Sequence, residues 1–201
     1  MRLGSRILLV GVCLGSVLAL AAPARAQNET RLLPQQPLII GPPPPPATQI
    51  EGFRASLGSV VTVGYETLGE VAGISVDARE MRASTGERVR GVAIQIAGEK
   101  GAFEQSYVDV DELPDLIRGM DRMLNVTENP TQFRNFEMHY GTKGELELVA
   151  SSSRNRGVVF SVEVGRLTKM RRDHLTGGEL QQLRTLIEAA SQKLATLPTG
   201  K

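Results

Sequence analysis

The residues that could carry out chemistry are few in this chain and lie far apart. It has two histidines, His139 and His174, and one cysteine, Cys13. A zinc site needs three or four ligands brought together, and a serine hydrolase needs a serine, a histidine and an acid in one geometry. The serine run at 151–153 does not follow a nucleophile-elbow pattern. We therefore predict no catalytic residue, no metal and no cofactor. The alternative is an unrecognised hydrolase in which His139 or His174 acts as the base.

An acidic cluster is the densest set of possible metal ligands. It consists of Asp109, Asp111, Glu112 and Asp115. Hard cations such as calcium bind several oxygens, but this spacing lacks the glycine and the late glutamate of a calcium-binding loop. Negative charge is also favourable at the start of a helix without any ion. We predict that the cluster serves the helix start.

Positive charge is concentrated in the second half of the chain. Residues 50–130 contain 8 basic and 14 acidic residues, whereas residues 131–201 contain 11 and 7. The candidate binding group for an anionic partner is Arg154, Arg156, Lys169, Arg171 and Arg172. We favour the alternative, in which the two halves complement each other within one chain or across a dimer. Nucleic acid is the less expected partner, because its binding domains are usually basic and rich in stacking aromatics, and aromatics make up 4% of this sequence.

Residues 1–26 are predicted to be a signal peptide. Two arginines precede an apolar, uncharged run that ends at Ala22, and small residues precede a cleavage point between Ala26 and Gln27. The run is shorter than the roughly 20 apolar residues of a membrane span. Cleavage leaves 20 basic residues (23 less the three of the leader), 22 acidic residues and no cysteine. We expect a periplasmic or extracellular protein without disulfides.

Residues 27–49 are predicted to be a proline-rich linker. They include Pro34, Pro37 and the run Pro42–Pro46, and proline fixes φ and lacks an N–H donor, so the segment is expected to be extended. A ligand for a proline-recognising domain is the alternative to a spacer. The remaining residues, 50–201, are enough for one domain with its own core.

The first block, residues 57–130, is predicted to contain four strands and a helix. The strands are expected at 59–66, 74–81, 89–96 and 106–110, where the first three alternate with the period of two that is typical of half-buried antiparallel strands. Val61, Val63 and Tyr65 share one face of the first strand. Asp111 is the predicted N-cap of the helix. The apolar stripe of that helix is Leu113, Leu116, Ile117, Met120 and Leu124.

The second block, residues 131–197, repeats this order. Its strands are expected at 136–140, 145–150, 158–164 and 167–172, with a hairpin tip at 154–157. Thr176 and Glu179 have the spacing of a capping box before the second helix. The apolar stripe of that helix is Leu180, Leu183, Ile187, Ala190 and Leu194. We predict an α+β fold of antiparallel sheets, in a tandem ββββα-ββββα duplication with one helix per block packed on them.

The stretch Ser106–Leu113, followed by Leu116–Asp121, resembles a motif in small exported bacterial proteins with no assigned function. Further parts of that pattern are Ala83–Glu87, Gly91–Ile96 and Asn135–Met138. The resemblance covers most of residues 58–197 and implies a single exported domain, but it transfers no catalytic residue. The doubled ββββα order is also similar to the Whirly-type single-strand-binding architecture, in topology alone.

These observations favour an exported, non-catalytic binding or assembly domain whose partner is a second copy or another exported protein. The first alternative is a Whirly-like binder of polyanions or single-stranded nucleic acid that uses the basic group. The second alternative is the hydrolase described above.

Overall fold

The computed structural model describes residues 45–53, 60–98, 101–126, 130–153, 157–166 and 169–198. The predicted signal peptide lies outside these ranges, as does the predicted linker up to residue 44. Arg154 and Arg156 also lie outside the described residues. Thr48 is already buried, so the packed part of the chain begins within the last residues of the predicted linker.

Two four-stranded antiparallel sheets and two long helices make up the fold. In chain order the elements are α1 (Gln49–Gly52), β1 (Val61–Val71), β2 (Ile74–Ala83), β3 (Arg88–Ala97), β4 (Phe103–Asp109), α2 (Leu113–Leu124), β5 (Glu137–Gly141), β6 (Glu147–Ser153), β7 (Gly157–Val164), β8 (Met170–Leu175) and α3 (Gly177–Thr196). Strands β1–β4 form the first sheet and β5–β8 the second, each in sequential order. The predicted antiparallel α+β architecture is confirmed.

One apolar core lies between the sheets and the long helices. Alternation along each strand places one set of side chains on this inner face, since successive side chains of a strand point to opposite faces. Buried examples from the two sheets are Ile74, Val76, Val92, Ile94, Leu148, Ala150, Phe160 and Val162. Burial of each large side chain contributes roughly 1.5–3 kcal/mol, so this shared core joins the two sheets.

The last helix lies mainly against the first sheet. α3 contacts β1, β2 and β3 as well as α2, and α2 contacts β5 in addition to α3. Gly69 in β1 permits this approach, because a Cβ atom there would lie 2.9 Å from the side chain of Leu186. α3 also contacts β7 and β8 of its own block, so it packs on both sheets. Contacts between distant parts of the chain decide this placement.

Two arginines of the first sheet hold the end of α3. Arg90 donates hydrogen bonds to the carbonyl oxygens of Leu197 (3.2 Å) and Pro198 (2.6 Å), and Arg88 donates to Pro198 (2.6 Å). The last carbonyls of a helix lack intrahelical donors and carry partial negative charge. The bonded carbonyls belong to the C-cap residue Leu197 and to Pro198 after it, so these bonds attach the chain to β3 just past the negative end of the helix.

The two helices are joined by an ion pair. Arg184 of α3 lies 2.5 Å from one carboxylate oxygen of Asp121 in α2 and 2.7 Å from Glu188. The hydrogen bond from Arg184 lowers the pKa of Asp121 below its ordinary value.

In the described part of the chain, no helix is both long enough and apolar enough to cross a membrane.

The start of α3 was predicted correctly and the start of α2 was not. Thr176 and Glu179 form a capping box, with the Glu179 amide donating to the Thr176 hydroxyl at 3.2 Å. At α2 the predicted N-cap, Asp111, is wrong, because Glu112 precedes the first helical residue and makes no side-chain cap. The Glu112 carboxylate instead accepts a hydrogen bond from the Lys143 amide at 3.0 Å.

Candidate functional site

The described members of the predicted basic group do not share one open surface. Lys169 lies 3.1 Å from Glu145 and 3.6 Å from Glu163, and its hydrogen bond lowers the pKa of Glu145. Arg171 donates to the Ser161 hydroxyl at 3.1 Å. Arg172 instead reaches the first sheet, where it donates to a backbone carbonyl of β3. Two of these three residues therefore lie on the second sheet's solvent side, while the third connects the sheets.

The predicted histidine bases lie in different surroundings. His139 is half exposed, and its ring nitrogens lie 2.7 Å from Glu147 and 3.3 Å from Glu137. Hydrogen bonds to these carboxylates, Glu147 first, raise the pKa of His139 above its ordinary value. His174 is exposed in β8 and has a φ of +62°. In the serine run at 151–153, the Ser152 hydroxyl accepts a hydrogen bond from the backbone amide of Phe136 at 3.1 Å.

A shallow cavity of about 440 Å³ lies beside the start of β5. Its lining residues are Asn135, Phe136, Glu137, Ser151 and Ser152. It is wide open to solvent, and its glutamate already contacts His139. The cavity therefore offers a ligand little enclosure.

The acidic cluster is dispersed among separate partners. The Asp109 carboxylate accepts hydrogen bonds from the amides of Gln49 (2.8 Å) and Ile50 (3.2 Å), so it holds the start of α1. Asp111 pairs with Lys143, and Asp115 forms an ion pair on its own helix. Among the described residues, no group of three or more histidine, cysteine, aspartate or glutamate side chains could hold a metal ion.

A more organised set of side chains lies on the solvent side of the first sheet, which we call the outer face. Alternation and strand register bring Tyr65, Asp77, Arg79 and Tyr107 together there, from three strands. The guanidinium of Arg79 lies 5.8 Å from the ring centre of Tyr65 and 5.6 Å from that of Tyr107. Distances below about 6 Å permit cation–π attraction. We call this arrangement the Tyr–Arg–Tyr stack.

A buried carboxylate supports the stack from below. Asp77 accepts hydrogen bonds from Arg79 (2.9 Å), Thr67 (2.7 Å) and Gln95 (2.9 Å). Its side chain is only 7% exposed. Because a buried charge needs both a partner and hydrogen bonds, this network fixes the position of Arg79.

The hydroxyl of Tyr107 completes the network. It accepts from Arg79 at 3.1 Å and from the Gln105 amide at 2.8 Å. Two buried polar atoms at this place, Arg79 Nε and Gln105 Oε1, have no hydrogen-bond partner among the residues that the structure describes. Buried polar atoms are usually satisfied by protein or by water, so both retain hydrogen-bonding capacity.

Apolar side chains flank the stack on the same outer face. Tyr65 is 71% exposed, Phe103 59% and Val63 46%. The neighbours of Val63 in the same cross-strand row are Met81 and Val89, which are half-buried. Val61, Val63 and Tyr65, which alternation predicts on one face of their strand, lie on the face toward solvent.

The stack itself was not identified from the sequence. Its members are up to 42 positions apart (Tyr65 to Tyr107) and each sits in an ordinary alternating strand. The available signal was that polar and aromatic residues share the non-core positions of the first, second and fourth predicted strands. No protein-family model matches the chain, and no curated protein matches it.

Proposed function

We propose that this chain is an exported, non-enzymatic domain that binds another protein surface through the outer face of its first sheet. The observation that carries the proposal is the Tyr–Arg–Tyr stack, in which Arg79 is held between Tyr65 and Tyr107 above the buried Asp77. Export is supported by the composition of residues 1–26 and by the resemblance described above.

The composition of the face supports a protein partner. Tyrosine and arginine are enriched at the energetically dominant positions of protein interfaces. Arg79 is already held by its hydrogen bonds, so binding costs little additional side-chain entropy. Its charge is balanced by Asp77 at 2.9 Å. A face with balanced charge and exposed apolar groups is better suited to a mixed protein surface than to a polyanion.

The polyanion alternative has weaker support. A phosphate-binding surface needs cations that are free to neutralise phosphates. Lys169 already has Glu145 and Glu163 within 3.6 Å, and Arg172 bonds to a backbone carbonyl. Titration with heparin and with an oligonucleotide at low and high salt tests this function. Binding that weakens steeply with salt and that Lys169→Ala reduces would favour it over ours.

Photocrosslinking in the exporting cell tests the proposed function. A benzoyl-phenylalanine in place of Tyr65, which is 71% exposed, is expected to give one or two adducts of defined mass. The matched control places the same group at Phe133, which is 77% exposed but lies in the segment before β5. The adduct is identified by mass spectrometry and reconstituted from purified components. Equal labelling at both positions, or none at position 65, contradicts the proposal.

A hydrolytic panel tests the non-enzymatic part of the proposal. The purified protein is expected to leave esters, peptides and glycosides intact. Turnover that disappears in His139→Ala or His174→Ala would instead support the hydrolase alternative.

We also infer that the two sheets descend from one ββββα unit. Both sheets have sequential strand order, and each long helix contacts strands of the other block, α2 against β5 and α3 against β1–β3. Such reciprocal placement is expected if a dimer of one unit became a single chain. Superposing the Cα atoms of β5–β8 and α3 on β1–β4 and α2 tests the idea, and helices that run in unrelated directions would contradict it.

A further inference from the structure

The first strand, β1, has an open edge. In the described part of the chain it pairs with β2 alone. The Val60 carbonyl accepts from the Ser84 amide at 2.8 Å, so residue 60 directs its backbone groups toward β2. Because this direction alternates along an antiparallel strand, residues 61, 63, 65 and 67 direct their N–H and C=O groups away from the sheet. The register shift between Thr67 and Gly69 ends this regular run.

The open edge carries little protection against pairing. Exposed edges of natural sheets are usually blocked by lysine, proline, a bulge or short length. The segment 61–67 contains no lysine and no proline, its single charged side chain, Glu66, is paired with Lys193 at 2.7 Å, and its bulge comes only at the end. Its outer face carries the exposed Val63 and Tyr65, and on the opposite face Thr62, Gly64 and Glu66 are exposed too. Both faces and the edge of this segment are therefore accessible.

The segment is complementary to itself when a second copy runs antiparallel to it. With the twofold axis at Gly64, Val63 of one copy lies opposite Tyr65 of the other, and Val61 lies opposite Thr67. Both pairs use backbone groups that point outward from their own sheets. Pairs of β-branched and aromatic residues stabilise antiparallel strands. The same symmetry places Gly64 opposite Gly64 at a non-hydrogen-bonded position, where strands approach most closely.

Charge selects this register over its neighbour. With the axis at Gly64, Glu66 lies opposite Thr62, which is next to Arg82 in its own sheet. Glu66 is already paired with Lys193 at 2.7 Å and Arg82 lies 3.6 Å from Glu80, but both side chains are 54% exposed, so Arg82 of the second copy can approach Glu66 as an additional partner. With the axis at Tyr65, Glu66 would instead lie opposite Gly64, which is next to Glu80. Glu80 is already balanced by Arg82, Arg88 and Arg90, so that register offers Glu66 no additional cation.

We infer that the partner is a second copy of this chain, joined by antiparallel pairing of β1 with β1 about Gly64. The inference rests on the proposed function, since the β1 edge borders the outer face and its Val63 and Tyr65 belong to that face. The product is a continuous eight-stranded sheet. Its outer face carries two Tyr–Arg–Tyr stacks, one on each side of the axis, with Val63 of each copy beside Tyr65 of the other.

A single-cysteine scan tests the register. Each variant also carries Cys13→Ser, so that the introduced thiol is the only one. A Cβ at Gly64 meets nothing closer than the Glu80 carbonyl at 3.9 Å, so Gly64→Cys fits the strand. Facing Cα atoms at a non-hydrogen-bonded pair lie about 4.5 Å apart, within disulfide reach. Oxidised Gly64→Cys is expected to run as a covalent dimer on a non-reducing gel.

The controls are neighbouring positions on the same strand. Thr62→Cys and Glu66→Cys are each expected to form no covalent dimer when oxidised alone. When the two variants are mixed and oxidised, they are expected to form a disulfide-linked heterodimer. A dimer strongest for Tyr65→Cys or Val63→Cys would overturn the Gly64 register. A Gly64→Cys protein that stays monomeric under oxidation, together with monomeric native protein in sedimentation, would overturn the dimer.

A proline on the β1 edge tests association of the two copies without unfolding either one. Val63→Pro removes an outward N–H and leaves the bonds between β1 and β2 in place, which edge strands tolerate. Two symmetric hydrogen bonds are lost, so the dimer dissociation constant is expected to rise about tenfold to thirtyfold. Val63→Ile keeps the N–H and is expected to leave the dimer dissociation constant within about twofold of its native value. Unchanged association of Val63→Pro, with a native circular dichroism spectrum, contradicts the inference.

The two proposals fail in different ways. If crosslinking from position 65 identifies a different protein while Gly64→Cys stays monomeric, the binding function stands and the self-pairing is wrong. If crosslinking labels only this chain and Gly64→Cys dimerises, both stand. If position 65 labels nothing and Gly64→Cys stays monomeric, both are wrong.

Discussion

The outer faces of the two sheets are built differently although their inner faces are alike. The first carries the Tyr–Arg–Tyr stack over the buried Asp77, with exposed apolar neighbours. The second, in its described part, carries ion-paired groups such as His139 with Glu147 and Lys169 with Glu163, and no phenylalanine or tyrosine. Both inner faces meet one core, so packing constrains them equally, whereas solvent leaves the outer faces free to diverge. The difference points to the first sheet as the interacting one.

Removal of the buried carboxylate is expected to give the largest contrast between the faces. Asp77→Ala leaves Arg79 without its ion-pair partner and deprives Thr67 and Gln95 of an acceptor. Because a broken buried pair leaves an uncompensated charge, we expect a loss of about 3 kcal/mol of unfolding free energy, measured by urea titration.

The matched control for that change is Glu163→Ala on the second sheet. Its ammonium partner, Lys169, is 40% exposed at a distance of 3.6 Å. Exposed pairs contribute about 0–1 kcal/mol. Equal losses for the two variants would remove the distinction between the faces.

On each outer face a hydroxyl group accepts a hydrogen bond from an arginine, and the loss of stability on removing that hydroxyl gives the next comparison. Tyr107→Phe removes the acceptor of Arg79 and Gln105, so a loss of about 1–2 kcal/mol is expected. Ser161→Ala removes an acceptor of Arg171, which is exposed to water, so the loss should be about 0.5 kcal/mol. Urea midpoints of both variants, with unchanged slopes, provide the measurement. A larger loss for Ser161→Ala would reverse the comparison.

The second outer face is expected to be the one that responds to pH near neutrality. Its carboxylates raise the pKa of His139, so the folded state binds a proton more tightly than the unfolded state. The resulting stabilisation is complete below the unfolded pKa of about 6.5 and is lost as pH rises through the folded value. Half exposure limits it to at most about 1 kcal/mol.

Measurements of that effect combine imidazole NMR titration with urea unfolding at several pH values. His139→Gln keeps a polar side chain without a titrating group and should remove this part of the pH dependence. A titration midpoint of His139 at or below about 6.5 would contradict the expectation.

Backbone strain gives the smallest expected effect. Ala72 has a φ of +51° and the following Gly73 a φ of +76° in the turn between β1 and β2, and asparagine–glycine is the favoured sequence for such a turn. Ala72→Asn should stabilise the protein by about 0.5 kcal/mol. His174→Asn, at φ +62° in the second sheet, should gain less, because histidine tolerates this region better than alanine. Thermal midpoints of the two variants check the order.

The inner faces and the helix stripes were predictable because they depend on local periodicity. Val92, Ile94 and Ile96 alternate in the sequence and are buried in the structure, and the stripe from Leu180 to Leu194 is buried throughout. A period of two or of 3.6 is a property of one segment. Where the molecule has one apolar core, that period is enough to predict which side chains are buried.

The outer-face network and the helix placement were not predictable in the same way. Arg79 meets Tyr107 only because three strands pair in one register. The sequence pattern places Asp109 at the start of the helix that follows it. In the structure its carboxylate holds the start of α1 instead, through Gln49, which lies 60 positions earlier in the chain. Alternation also does not reveal which face of a mixed strand meets the core, so Tyr65 could not be placed toward solvent from the sequence. These features depend on contacts between distant segments, which single-segment patterns do not encode.

The position of α3 across β1–β3 sets the order in which the molecule can mature. Nascent chains emerge from the ribosome amino terminus first and often fold domain by domain. Here the apolar side of the earliest strands stays uncovered until the final helix, anchored by Arg88 and Arg90, has been synthesised. A chain that lacks α3 is therefore expected to leave this apolar surface exposed to water, so the first half is not expected to fold stably before the last helix has been made.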